Sequence, residues 1–190
     1  MKRSPYLAQG FTLVELLIVA IMLAILAAIV VPQFASTTTE ATESALKSDL
    51  AGMRAAIDLY RQQHGEYPAA TGSAGGTCTG GTAGSAALET QPAFRDHMTR
   101  YSDDLGQTCT LPVGGNFPFG PYIKEDDVPV NPITNSNVVV IIDAADAAAG
   151  DLTMGGDAGP GAGWKYDVTS GKFIANDVNN DSRGVPFDTY

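Results

Sequence analysis

The sequence predicts an α+β fold in which one long N-terminal α-helix packs against a C-terminal antiparallel β-sheet. Two observations predict it. Residues 11–31 form a predominantly apolar run that contains Glu15, and an amphipathic stretch continues this run as far as Gly65. Short segments with strong strand preference then occupy residues 117–190. The first half of the helix is therefore expected to span a membrane, and the second half to cover the sheet.

The apolar run is long enough to cross a bilayer. Residues 11–31, at about 1.5 Å each, give roughly 31 Å of helix, against a hydrocarbon core of about 30 Å. A carboxylate in such a span costs roughly 2.5–3.5 kcal/mol on insertion scales, so Glu15 indicates a specific cationic partner. Residues 1–10 form a leader whose Lys2 and Arg3 should keep the N-terminus in the cytoplasm. From Phe11 to Phe34 no two alanines lie two positions apart, so the A-x-A cleavage pattern of a conventional signal peptide is missing.

The junction of leader and span has a distinctive sequence, Gly10-Phe11-Thr12-Leu13-Val14-Glu15-Leu16-Leu17. It resembles the class III signal of type IV pilins and type II secretion pseudopilins. The resemblance implies that a prepilin peptidase cleaves after Gly10 and that the new terminal amine of Phe11 is methylated. It further implies that Glu15 pairs with the terminal amine of a neighbouring subunit during assembly, and that the chain adopts the pilin fold.

The second half of the helix, residues 32–65, begins with a proline and ends at a glycine. Pro32 should kink the helix, and the Ser and Thr residues at 36–39 predict either local melting or an ordinary curved helix. Gly65 suits a left-handed cap, and Pro68 prevents continuation. Between Pro32 and Gly65, apolar residues recur at helical spacing and form one narrow stripe: Leu46, Leu50, Met53, Ile57 and Tyr60. We expect this stripe to contact the chain's own sheet, since fewer than three heptads support a coiled coil.

Two further segments resemble pseudopilins. The helix exit reads Ile57-Asp58-Leu59-Tyr60 and then His64-Gly65-Glu66-Tyr67-Pro68, with an aromatic residue before a G-x-Y-P turn. Segments 120–124 and 128–132 resemble the entry to the pseudopilin sheet. The family's aromatic continuation is replaced here by Ile133-Thr134-Asn135. This departure weakens the resemblance to the major pseudopilin type, which the chain otherwise resembles best.

The head, residues 66–190, is expected to contain a variable loop region at 69–116 and a β-sheet region at 117–190. Residues 69–87 are rich in Gly, Ala, Ser and Thr, which predicts an exposed loop. Cys78 and Cys109 are the only cysteines, and an extracytoplasmic head predicts a disulfide between them, with two free thiols as the alternative.

Regular elements within the head follow from apolar spacing. A short helix should open at Pro92 and end at Gly106, with His97 off its apolar stripe and therefore in solvent. That stripe consists of Phe94, Met98, Tyr101 and Leu105. Strands are expected at 138–142, 164–168 and 172–175, with a turn between the last two.

A polar segment near the C-terminus has the spacing of a calcium loop. Asp177, Asn179, Asp181 and Asp188 occupy its first, third, fifth and twelfth positions. The sixth position holds Ser182 rather than glycine, and no EF-hand helices flank the segment, so a solvated polar loop is the alternative. The resemblance to pseudopilins that bind calcium in a C-terminal loop favours calcium. We expect no required cofactor, with calcium as the candidate ligand.

Composition and motifs exclude other classes of function. The chain has 21 Asp and Glu residues against 11 Lys and Arg residues, a formal net charge of −10. This acidity disfavours nucleic acid as a main ligand. The sequence contains no G-x-S-x-G, no phosphate-binding G-x-x-x-x-G-K and no H-E-x-x-H, so we do not expect an enzyme.

The resemblance implies a structural subunit of a type IV filament, best described as a type II secretion pseudopilin that polymerises through its N-terminal helix to help export proteins. A type IV pilin of a surface pilus, serving adhesion, motility or DNA uptake, is the first alternative. A monomeric membrane-anchored extracytoplasmic binding protein is the second. The implied partners are identical or related pilin subunits, a prepilin peptidase, an inner-membrane assembly platform and membrane lipid. The implied location is a single pass through the inner membrane with the head outside the cytoplasm, and then a periplasmic or extracellular filament.

Overall fold

The computed structural model describes residues 11–112, 116–142 and 161–190, and the chain divides into two compact units, Met1–Ala41 and Thr42–Tyr190. Helix α1 (Leu13–His64) supplies most of the described part of the first unit and the central helix of the second. Among its described residues, the second unit also contains helix α2 (Gln91–Thr99), five short strands and a final 3-10 turn (Phe187–Thr189). This architecture agrees with the expected α+β pilin fold.

In the first unit, α1 is exposed and unbroken. Every described side chain in residues 11–41 is exposed, and the backbone stays helical through residues 32–39. The hydroxyls of Thr37 and Thr38 donate to carbonyls one turn earlier, those of Gln33 and Phe34, over 2.9 and 2.6 Å. These bonds satisfy the two hydroxyls within the helix, and the backbone of residues 36–39 is helical in the single chain.

In the second unit, the apolar stripe of α1 forms one side of the core. Its five residues, Leu46, Leu50, Met53, Ile57 and Tyr60, are each at most 2% exposed. The helix ends at His64, and Gly65 takes a left-handed conformation with φ of 77°. The predicted stripe and the predicted end of the helix are therefore confirmed.

The main sheet is mixed, whereas the sequence predicts an antiparallel one. It has the order β3 (Val139–Ile142), β4 (Trp164–Asp167), β5 (Phe173–Ala175), with β3 parallel to β4 and β4 antiparallel to β5. More than a dozen residues separate β3 from β4, which is enough for the crossover that a parallel pair needs. The tight β4–β5 turn contains Gly171, whose φ is 72°.

Helix α2 is shorter than expected. It begins with Thr90 as N-cap, whose hydroxyl accepts from the Ala93 N–H over 3.3 Å, and it ends at Thr99. The chain then enters the two-stranded sheet of β1 (Tyr101–Ser102) and β2 (Thr108–Cys109), so the predicted extension to Gly106 is wrong. Pairing of β1 with β2 takes the chain out of the helix, and Leu105 is 70% exposed.

The core is filled by aromatic side chains from α2 and the main sheet. The rings of Phe94 and Tyr166 lie 4.5 Å apart, and those of Trp164 and Phe173 lie 5.2 Å apart. The polar atoms of these rings are satisfied: the indole N–H of Trp164 donates to the carbonyl of Pro129 over 2.8 Å. Aromatic burial of this kind dominates the stability of a small head.

Candidate functional site

The N-terminal part of α1 presents an exposed apolar surface. Leu13–Val31 is the one helical segment in the described ranges that is long and apolar enough to cross a membrane. Its large side chains are 41–82% exposed. Such a surface requires lipid or neighbouring helices to cover it.

Glu15 lies in the first turn of this segment and closes a capping box with Thr12. Its carboxylate accepts the Thr12 backbone N–H over 2.8 Å and the Thr12 hydroxyl over 2.7 Å. In return, the Thr12 hydroxyl accepts the Glu15 N–H over 3.3 Å. The T-x-x-E spacing signals this box in the sequence, but the sequence interpretation did not use it, and so Thr12 was missed.

The expected processing site lies next to this box. Phe11 is 76% exposed and directly precedes Thr12, and Gly10 lies outside the described residues. Cleavage after Gly10, methylation of Phe11 and pairing of Glu15 with another subunit stay predictions.

The disulfide joins the variable loop to the small sheet. Cys78 is bonded to Cys109 on β2, with their Cα atoms 5.5 Å apart. Gly81 passes so close that an added Cβ would lie 2.9 Å from the Cys78 sulfur and 3.1 Å from the Cys109 sulfur. The bond therefore holds a loop that has few apolar groups of its own.

His97 is fully buried, so its predicted exposure to solvent is wrong. Its Nδ1 accepts the Ala69 N–H over 2.9 Å, and its Nε2 donates to the Gly106 carbonyl over 2.8 Å. Burial lowers the pKa of His97 to about 4; the bond to Gly106 opposes the shift, and neighbouring His64 adds to it. His97 is therefore neutral, and it joins two loops by hydrogen bonding to a backbone group in each. It lies off the apolar stripe of α2.

Two of the four candidate calcium residues, Asp177 and Asp181, accept hydrogen bonds from the chain itself. One carboxylate oxygen of Asp177 accepts the backbone and side-chain N–H groups of Asn179, over 2.8 and 2.7 Å. Asp181 accepts from backbone and side-chain groups of Arg183 and from the Tyr190 hydroxyl. Within residues 11–112, 116–142 and 161–190, no three His, Cys, Asp or Glu side chains converge as metal ligands would. Asp181, with both oxygens facing hydrogen-bond donors, is not arranged as a calcium ligand, and calcium binding stays a prediction.

Glu43 is a buried charged residue that the sequence interpretation missed. It is only 5% exposed, and its two carboxylate oxygens accept the N–H and the hydroxyl of Ser182 over 2.7 and 3.0 Å. Its position three residues before Leu46 places it on the buried face of α1, which is the signal that could have identified it.

Comparison with known proteins finds relatives named type II secretion system core protein G and a relative named fimbrial protein. Over 60 residues the chain is 42% identical to the type II secretion system core protein G of Pseudomonas aeruginosa, covering 32% of this chain and 42% of the relative. The protein of the same name from Pectobacterium carotovorum is 33% identical over 66 residues, covering 35% and 42%. A fimbrial protein of Neisseria meningitidis is 39% identical over 69 residues, covering 36% and 41%.

These similarities cover only part of each protein. The chain spans about two fifths of the length of the curated relatives that it matches. No family model matches the chain. No solved structure matches it significantly.

Proposed function

We propose, from the premise that this chain is a member of the type IV pilin and pseudopilin family, that it is a structural subunit of a type II secretion pseudopilus. Relatives named core protein G and the class III signal at Gly10 and Phe11 support the family and the function together. The subunit works by polymerising and performs no catalysis. The head is displayed outside the cytoplasm, and the filament helps to export other proteins.

The observation that carries this proposal is the exposed apolar face of Leu13–Val31. Before assembly, membrane lipid covers this face, and a prepilin peptidase acts at its cytoplasmic end. In the filament, helices of identical or related subunits replace the lipid through close packing. An inner-membrane platform that lifts each subunit out of the bilayer completes the scheme.

Glu15 has a separate role before and during assembly. In the single chain, Thr12 donates two hydrogen bonds to the carboxylate, which lowers the cost of holding a charge near the membrane. When Phe11 becomes the mature terminus, its amine supplies a cationic partner for the Glu15 carboxylate of an adjacent subunit. Pairing with the amine of an adjacent subunit sets the register of the incoming helix.

Substitution of Glu15 tests the proposal. Glu15→Val should leave membrane insertion intact and reduce filament yield at least tenfold, because the hydrophobic span remains and the register contact is lost. Thr12→Ser serves as the matched control, since serine can close the same capping box. The readout is the amount of cross-linked multimer in membranes and the amount of protein in filaments. Normal filament yield from Glu15→Val would refute the role of Glu15.

A surface pilus is the second candidate, and the fimbrial relative favours it. Intact-mass and N-terminal analysis of sheared extracellular filaments and of membranes separates the candidates. A chain that starts at methylated Phe11 only in membranes supports the pseudopilus, and the same chain in the sheared fraction supports a pilus. An uncleaved chain in cells with an active prepilin peptidase would contradict both, and would favour a monomeric anchored binding protein.

A further inference from the structure

The C-terminal segment, residues 176–190, is fastened to one polar face of α1. Glu43 accepts two hydrogen bonds from Ser182, as described above. The ammonium of Lys47 lies 4.6 Å from the centre of the Tyr190 ring. Since positions 43 and 47 are one helical turn apart, these two side chains share a face of the helix.

A second attachment lies two turns further along α1. The guanidinium of Arg54 donates to the carbonyl of Phe173 through Nε and Nη2, over 3.0 and 2.8 Å, and Nη2 also donates to the main-chain oxygen of Tyr190. One arginine therefore binds both β5 and the last residue of the segment. A charged donor with two well-placed acceptors is worth more than a neutral hydrogen bond.

Within the segment, Asp181 organises the turn. One of its oxygens accepts the backbone N–H groups of Arg183 and Val185, each over 2.8 Å. The other accepts from Nε of Arg183 over 3.0 Å and from the Tyr190 hydroxyl, and it lies 3.0 Å from Nη2 of Arg183 in an ion pair. The Asp181 side chain is fully buried by these donors.

Calcium would have to displace these donors. The ion requires six to eight oxygen ligands at about 2.3–2.6 Å, including carboxylates free to face it. Both oxygens of Asp181 instead face N–H and O–H groups, and the positively charged guanidinium of Arg183 lies against one of them. The donor set of this segment suits hydrogen bonding within the chain.

We infer that residues 176–190 are held on α1 by a hydrogen-bonded latch that works without calcium. The latch consists of Glu43, Arg54, Asp181, Ser182, Arg183 and Tyr190. Arg183 donates to the Asp181 carboxylate, Glu43 binds the turn through Ser182, and Arg54 binds the main-chain oxygen of Tyr190. The inference concerns the stability of the head and does not depend on the proposed function.

The test is thermal unfolding of the full chain in detergent micelles, with and without calcium. Trp164 is the single tryptophan and is fully buried in β4, so its fluorescence reports unfolding of the head. Wild-type protein should have the same Tm in excess EDTA and in millimolar calcium chloride. A clear rise of Tm in calcium would overturn the inference.

Substitution of Asp181 separates a latch residue from a metal ligand. Asp181→Ala should lower Tm by about 2–6 °C in EDTA, because its buried donors lose their acceptor even when no metal is present. If Asp181 were a calcium ligand, the variant and wild type would have equal Tm in EDTA and would differ only in calcium. Arg183→Met is the milder variant: it should lower Tm in EDTA, and an unchanged Tm would count against the latch.

Glu43 provides the test from the helix side. Glu43→Ala should lower Tm in EDTA and in calcium alike, by about 2–6 °C. Glu40→Ala is the matched control, since Glu40 is an exposed residue of the same type on α1. Equal Tm values for the two variants would refute the role of Glu43 in the latch.

Discussion

At the scale of single residues, His97 is held neutral by the polarity of its two partners. The Ala69 N–H requires a lone pair on Nδ1, and the Gly106 carbonyl requires a proton on Nε2. A second proton could bind only at Nδ1, where it would face the Ala69 N–H. Protonation therefore breaks a buried hydrogen bond and also places a charge in the core.

This arrangement predicts a loss of stability on acidification. The pKa of His97 is about 4 in the folded chain, against an ordinary value of about 6.5, so the unfolded chain binds more protons between these values. The stabilisation is fully present above pH 6.5 and is lost as pH falls towards 4. We expect the contribution of His97 to the free energy of unfolding to fall by about 2 kcal/mol between pH 7.5 and pH 5. Denaturant titrations of the full chain at the two pH values, monitored by Trp164 fluorescence, measure this fall.

His97→Gln is the control for other titrating groups. Glutamine offers a carbonyl acceptor and an amide donor but does not titrate in this range. Its stability should therefore vary less between pH 7.5 and pH 5 than that of the wild type. Parallel pH profiles for the two proteins would show that His97 contributes nothing to the acid sensitivity.

At the scale of elements, α1 uses its second half as the wall of the head. Leu50 is 1% exposed, whereas Leu59, on the same helix, is 45% exposed. The contrast arises because positions 46, 50, 53, 57 and 60 recur on one face, and position 59 falls outside it.

The two leucines predict different costs of truncation. Leu50→Ala should lower the free energy of unfolding by about 2–5 kcal/mol, because it removes buried apolar atoms and leaves a cavity. Leu59→Ala, the matched control, should change it by less than about 0.5 kcal/mol. Denaturant unfolding of both variants measures these changes. Similar losses of unfolding free energy for both variants would mean that the stripe does not form part of the core.

Local patterns predict some elements of this chain and miss others for physical reasons. The stripe and end of α1 could be predicted because they depend on periodicity and on one glycine. The parallel pairing of β3 with β4 could not, because it depends on a crossover rather than on either strand's composition. His97 and Glu43 were missed since their partners, Ala69, Gly106 and Ser182, come from distant loops.

At the scale of the whole molecule, the two compact units have different requirements. Residues 11–41 contribute no buried side chain among those described, and under the proposed function lipid or other subunits cover this unit. Among the residues whose burial is described, every buried apolar residue of the core lies at Leu46 or beyond, and the first buried polar residue is Glu43. Membrane attachment and head folding are therefore separable properties of one chain.

This separation predicts the shortest fragment that folds. A fragment that begins at Thr42 keeps Glu43, Leu46 and Leu50, and its Tm should match that of the full chain in detergent, because it retains every core residue that the structure describes. A fragment that begins at Ala51 loses two buried leucines and the anchor for Ser182, so it should be unfolded at 25 °C. Trp164 fluorescence and amide chemical-shift dispersion measure both fragments. If the Thr42 fragment were unfolded while the full chain was folded, the first unit would have to stabilise the head.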